Sequence, residues 1–138
     1  MDWKACAVED LKKYPLMRTA IRNSEDKLRT IEYALKSGRM SAKSSEYSEE
    51  KLISAIVEKE KLRQNVRVLK EFIRITDNAL STLPEREKLL IERVYTAQNP
   101  VAIESLRGVM HCETRNLYRI RDSALKHFTL AMYGCEKN

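Results

Sequence analysis

Residues 112 to 128 read CETRNLYRIRDSALKHF. Thr114, Arg115, Asn116, Tyr118, Arg119 and Arg121 concentrate hydrogen-bond donors, three of them cationic, within about two turns of what the spacing predicts to be a helix. An Arg guanidinium can grip guanine or a phosphate through two hydrogen bonds. Thr can bond a base edge or touch a thymine methyl, and Asn can pair with adenine. Between these residues, Leu117, Ile120, Ala124 and Phe128 recur at helical spacing as a stripe for a core. One buried stripe and one face of Arg, Tyr, Thr and Asn describe a helix that packs on a scaffold and offers its N-terminal half to duplex DNA.

Other chemistry has less to work with. The cysteines Cys6, Cys112 and Cys135 have no CxxC spacing, and His111 and His127 complete no ligand cluster, so neither a disulfide scaffold nor a zinc site is expected. No Gly-rich phosphate loop, nucleophile and base set or paired carboxylate motif is present, and Cys112 falls at an expected core position. The expectation is a protein without enzymatic activity, cofactor or metal. A net charge of +6 suits a polyanion partner without requiring one.

The elements that hold the donor face follow from composition and period. Three Gly and three Pro against 33% charged residues predict an all-α chain. No window approaches the roughly 18 apolar residues of a membrane span, and MDWKACAVEDLKK is acidic where a secretory signal keeps an apolar run, so a cytoplasmic protein without membrane contact is expected. Asp2 is a natural N-cap for a short helix that places Trp3, Ala7, Asp10 or Leu11, and Tyr14 on one side and is expected to stop at Pro15. Beyond it, Met17, Ile21, Ser24, Leu28, Ile31 and Leu35 form a heptad seam. Residues 37 to 48 read as a Ser-rich loop, and a second helix from about Ser48 repeats the seam at Leu52, Ala55, Lys59, Leu62, Val66, Leu69, Ile73, Thr76 and Leu80. Lys59 and Thr76 are expected to interrupt that interface, with the Lys59 stem snorkelling past it. Val68, Phe72, Ile75 and Ala79 add a second apolar row, predicting a wider buried face toward the end of this helix. The two seams can close as an antiparallel hairpin, or the longer one can pair with its copy in a homodimer.

Past residue 82 three short segments replace the long ones. Pro84 suits the start of a helix whose dipole Glu85 and Glu87 complement, and Leu90, Ile91, Val94 and Tyr95 give it an apolar side. Asn99 and Pro100 repeat the cap-and-proline start for a helix carrying Ile103, Leu106 and Met110. A tight break near 110 to 112 precedes the donor-bearing helix, giving the layout of a helix-turn-helix with Leu106, Met110, Cys112, Leu117 and Ile120 at its core positions. The expected division is therefore a helical hairpin or coiled coil over residues 1–82 and a DNA-binding unit over 83–138.

LPEREKLLIERVY followed by AIESLRGVMHCETRNLYRIRDSALKHF resembles the region-four helix-turn-helix of bacterial sigma factors. With the coiled extension before it, the chain is similar to phage and prophage late transcription regulators of the ArpU/RinA type. The resemblance implies a sequence-specific DNA-binding regulator in a bacterial host cell. Its partners would be double-stranded DNA and RNA polymerase, with Thr114, Arg115, Asn116, Tyr118, Arg119 and Arg121 facing the DNA. Two positions depart from the motif: Arg107 stands where a small residue usually allows the helices to cross, and His111 stands where a left-handed Gly is usual. Gly108 would be the close-approach residue in a register shifted by one. No aromatic promoter-melting segment is present, so a complete sigma factor is not expected. Two other classes share these features: a DNA-packaging subunit like the small terminases, which assembles into rings, and a helical protein-binding module that touches no DNA.

Overall fold

The computed structural model describes residues 2–37 and 49–134, and all of its regular structure is helical. The expected loop falls on residues that, apart from Ser37, lie outside this description, as does Cys135. Helix α1 spans Trp3–Lys36 and α2 spans Glu49–Ser81. Three shorter helices follow: α3 (Glu85–Ile91), α4 (Arg107–Met110) and α5 (Thr114–Tyr133).

Asp2 caps α1 as its type predicts, its Oδ1 accepting a 3.0 Å hydrogen bond from the Lys4 amide. Pro15 does not end the helix. It costs the amide bond its ring replaces, yet α1 continues unbroken to Lys36. The turn that leads into it is pinned by distant contacts: Leu11 and Tyr14 are buried, and the Tyr14 hydroxyl donates to Asp77 on α2 at 2.6 Å.

The chain divides into two compact units that differ from the expected ones: residues 1–17 with 73–138, and residues 18–72. The boundary at 82 fails because Ala7, Leu11, Ala79 and Leu80 belong to the same core as Leu90, Ile91, Leu106, Leu117 and Phe128. Burying those apolar side chains stabilises by roughly 1.5–3 kcal/mol each for the larger ones, and this draws the first turns of α1 and the last of α2 into the C-terminal unit.

In the 18–72 unit the seam closes within the chain. Every seam position from Ile21 to Leu35 and from Leu52 to Leu69 is partly or fully buried. Glu32 pairs with Lys59 at 3.9 Å and with Arg63 at 3.0 Å, and Glu25 pairs with Lys70 at 3.7 Å, which fixes the antiparallel sense. Lys59 sits in the seam with its ammonium reaching Glu32, as expected of a long amphipathic stem. The second row on α2 is buried only at its end: Ala79 is buried and Phe72 half-buried, whereas Val68 and Ile75 are exposed. The wider buried face therefore begins later than the pattern predicts, because only the final turns of α2 lie against the large core.

In the other unit, α3 begins after Pro84 (φ −55°, ψ 148°), and the amide of Lys88 donates to the Pro84 carbonyl at 2.9 Å. It runs into a π-helical turn, Glu92–Thr96, closed by the Ala97 amide on the Glu92 carbonyl at 2.8 Å. Asn99 and Pro100 do not start the next helix. They lie in the connection, where the Val101 amide donates to Arg93, and Ala102 is extended before a 3-10 turn over Ile103–Leu106. The Ser105 amide donates to the Ala102 carbonyl at 3.0 Å, so the turn starts from Ala102 without the side-chain cap that Asn99 was expected to give. That turn leads directly into α4. Helix α5 ends at Gly134, whose left-handed φ of 76° lets its amide reach Leu130 at 2.7 Å.

Candidate nucleic-acid interface

The break before α5 turns on one residue. His111 is left-handed, with φ 52° and ψ 46°, at the position where the sequence pattern leads one to expect Gly. A Cβ there costs about 1–2 kcal/mol of backbone strain, and two hydrogen bonds oppose it. The Cys112 amide donates to the Arg107 carbonyl at 3.3 Å, and the Arg86 guanidinium of α3 donates to the Met110 carbonyl at 3.0 Å. Arg86 thus closes a carbonyl that the end of α4 would otherwise leave open. Gly108 needs no close approach, since a Cβ there would meet nothing within 4 Å. Among the described residues that are not Gly, the left-handed one is His111.

Helix α5 is anchored from beneath by Leu117, Ala124, Leu125 and Phe128, all buried, with Cys112 and Ile120 packed partly buried against the same core. The amides of Asn116 and Leu117 donate to the Glu113 carbonyl at 3.0 and 3.1 Å and set its first turn. With Leu117 turned in, Arg115, Asn116 and Arg119 are exposed. They border one open depression together with His111, Cys112 and Glu113. Neither Arg115 nor Arg119 has an ion-pair partner among the described residues, so both guanidiniums keep their donors available.

The remaining expected site residues lie elsewhere. Thr114 is half-buried at the first turn of α5. Tyr118 packs partly against the core, and its hydroxyl donates to the Glu104 carboxylate. That bond raises the Tyr118 pKa and lowers that of Glu104. Arg121 stacks over the Tyr118 ring at 4.8 Å and bonds Asp122 at 3.0 Å. Burial works against the Asp122 carboxylate, but Arg121 and Lys4, the latter 3.4 Å away, hold its pKa down. Tyr118 ties α5 to Glu104, Arg121 is engaged by Tyr118 and Asp122 of its own helix, and the exposed donor set is Arg115, Asn116 and Arg119.

Residue types alone did not disclose the polar tie beneath this helix. Glu87 on α3, expected only to complement a helix dipole, is buried and accepts from Ser123 at 3.1 Å and from His127 at 2.6 Å. The i, i+4 spacing of Ser123 and His127 on α5 was the available signal, since it places two donors on one face. Comparison of the chain with protein-family models, with curated proteins and with solved structures gives no match.

Proposed function

We propose that the chain is a sequence-specific DNA-binding transcription regulator. In this reading α4, the His111 turn and α5 form a helix-turn-helix of the sigma region-four kind, which acts at phage or prophage late promoters with host RNA polymerase. The observation that carries the reading is the pair Arg115 and Arg119: one helical turn apart, exposed, unpaired by any described carboxylate, and on the first half of a helix whose other face is fully buried. A structural helix gains nothing from two uncompensated guanidiniums on one face, whereas a major groove offers them guanine edges and phosphates. The resemblance of LPEREKLLIERVY and of the segment ending in DSALKHF to sigma factors supports the same reading.

Fluorescence anisotropy of the full chain on labelled duplexes at several salt concentrations tests it. The expected result is binding whose log affinity falls with log salt at a slope of about −0.9 for each phosphate neutralised, with one sequence recovered from a randomised duplex pool. Absence of duplex binding at low salt would overturn it.

A further inference from the structure

The side of α2 that faces away from the seam carries a second row. Ile53, Val57 and Val68 are 60%, 48% and 66% exposed, and nothing described in the chain covers them. Val57, Lys61, Gln64 and Val68 follow at spacings of four, three and four, the repeat of a coiled-coil face, on a helix whose first such face α1 already occupies. Glu60 and Arg67 flank this row on the same side. Neither has an ion pair among the described residues; Glu60 accepts only a 3.4 Å hydrogen bond from Gln64.

We propose that this face binds a second copy of the chain, with the two α2 helices antiparallel about a two-fold axis beside the midpoint between Leu62 and Arg63. The charges choose the register. In it, Val57 packs on Val68 of the second copy and Lys61 lies beside Gln64 of the second copy, each contact occurring twice. Flanking residues on the same side meet in an antiparallel pair, so Glu60 faces Arg67 of the second copy, again twice. A parallel pair would instead stack Lys61 on Lys61 and forfeit both Glu60–Arg67 contacts. The polar layer of Lys61 and Gln64 costs affinity but fixes register, and the Lys61 stem can extend past the interface. This inference concerns residues 53 to 68 and does not rest on DNA binding; loss of DNA binding would leave it intact.

The test is sedimentation equilibrium of the full chain under reducing conditions, up to about 0.5 mM, a concentration that would populate even a weak dimer. A reversible monomer–dimer equilibrium is expected. Val57→Asp should abolish it, and Glu60→Arg or Arg67→Glu alone should each weaken it about tenfold by placing like charges together twice. Combining Glu60→Arg with Arg67→Glu should restore the parent dimer to within about threefold. All these positions are exposed, and circular dichroism checks that each variant keeps its helices. A chain that stays monomeric throughout, as it would if this face served a different protein, overturns the proposal. So does a dimer indifferent to Val57→Asp, and a double reversal that fails to restore association overturns the register.

Discussion

Nδ1 of His127 donates a 2.6 Å hydrogen bond to the carboxylate of Glu87, tying the last helix to α3 across 40 residues of sequence. An ionised carboxylate can only accept, so the ring proton sits on Nδ1. Ser123 donates to the other carboxylate oxygen of the same residue. Serine and imidazole are therefore both held by Glu87 and are not bonded to each other, an arrangement that fixes helix position. Because Glu87 is buried, Glu87→Ala removes both bonds between the helices at once and should lower stability by about 2 kcal/mol. Urea unfolding measures it, and Ser123→Ala should cost about 1 kcal/mol by losing one of the two bonds.

Arg115 and Arg119 share one face of α5 and should separate in their effects. With Arg115 on a base edge, Arg115→Ala should cost about 1–3 kcal/mol on the selected sequence and much less on random duplex. With Arg119 on phosphate, Arg119→Ala should weaken both to a similar extent and reduce the salt slope by about 1. Anisotropy titrations of both variants decide it, after circular dichroism has shown them folded. If both bind like the parent, α5 is not the reading helix.

Thr76 lies in the α2 seam with 0% exposure, and its Oγ1 has no hydrogen-bond partner among the described residues. Thr76→Val keeps the shape and removes a buried hydroxyl that gained nothing on leaving water, so it should raise stability by about 1 kcal/mol. Thermal and urea unfolding should agree on the gain. A loss would mean that the hydroxyl has a partner in solution.

Tyr133 donates its hydroxyl to Asp10 on α1, and burial, aided by that bond, raises its pKa from 10.0 to about 12. The folded protein thus holds this proton more tightly than the unfolded chain. The stabilisation is complete below pH 10, declines as pH rises toward 12 and is lost above it. Parent and Tyr133→Phe should therefore differ most in melting temperature near neutral pH and converge on the alkaline side. A difference that stayed constant across that range would show that the phenol is not bonded.

Much of this was legible in residue spacing. The heptad seams of both long helices, the place of Lys59 and Thr76 within them, and the buried Leu106, Met110 and Leu117 all follow from period alone, because burial repeats with the helix turn. The left-handed residue at 111 falls where the resemblance to the sigma-factor motif implies a Gly, with a register shifted by one as the alternative, and His is a poor choice for it. Local rules failed where a distant contact decided the outcome. Pro15 reads as a stop, yet the Tyr14–Asp77 bond and the buried Leu11 hold the helix through it. Asn99 and Pro100 read as a start, but the bond from the Ser105 amide to the Ala102 carbonyl places it three residues later. At the site, Tyr118 and Arg121 look as outward as Arg115, but Glu104, set beside Tyr118 by the fold, draws the tyrosine away, and Arg121 turns onto the Tyr118 ring and the adjacent Asp122.

The core that joins Ala7 and Leu11 to Leu117, Leu125 and Phe128 also orders events during synthesis. On the ribosome, the first turns of α1 emerge with an apolar side whose partners have yet to be translated. The hairpin of residues 18–72 needs only contacts between its own two arms and can close while the rest is still being made. Helix α5 and the first turns of α1 then become ordered together in one late step, so the exposed face of Arg115 and Arg119 exists only once translation has passed Phe128.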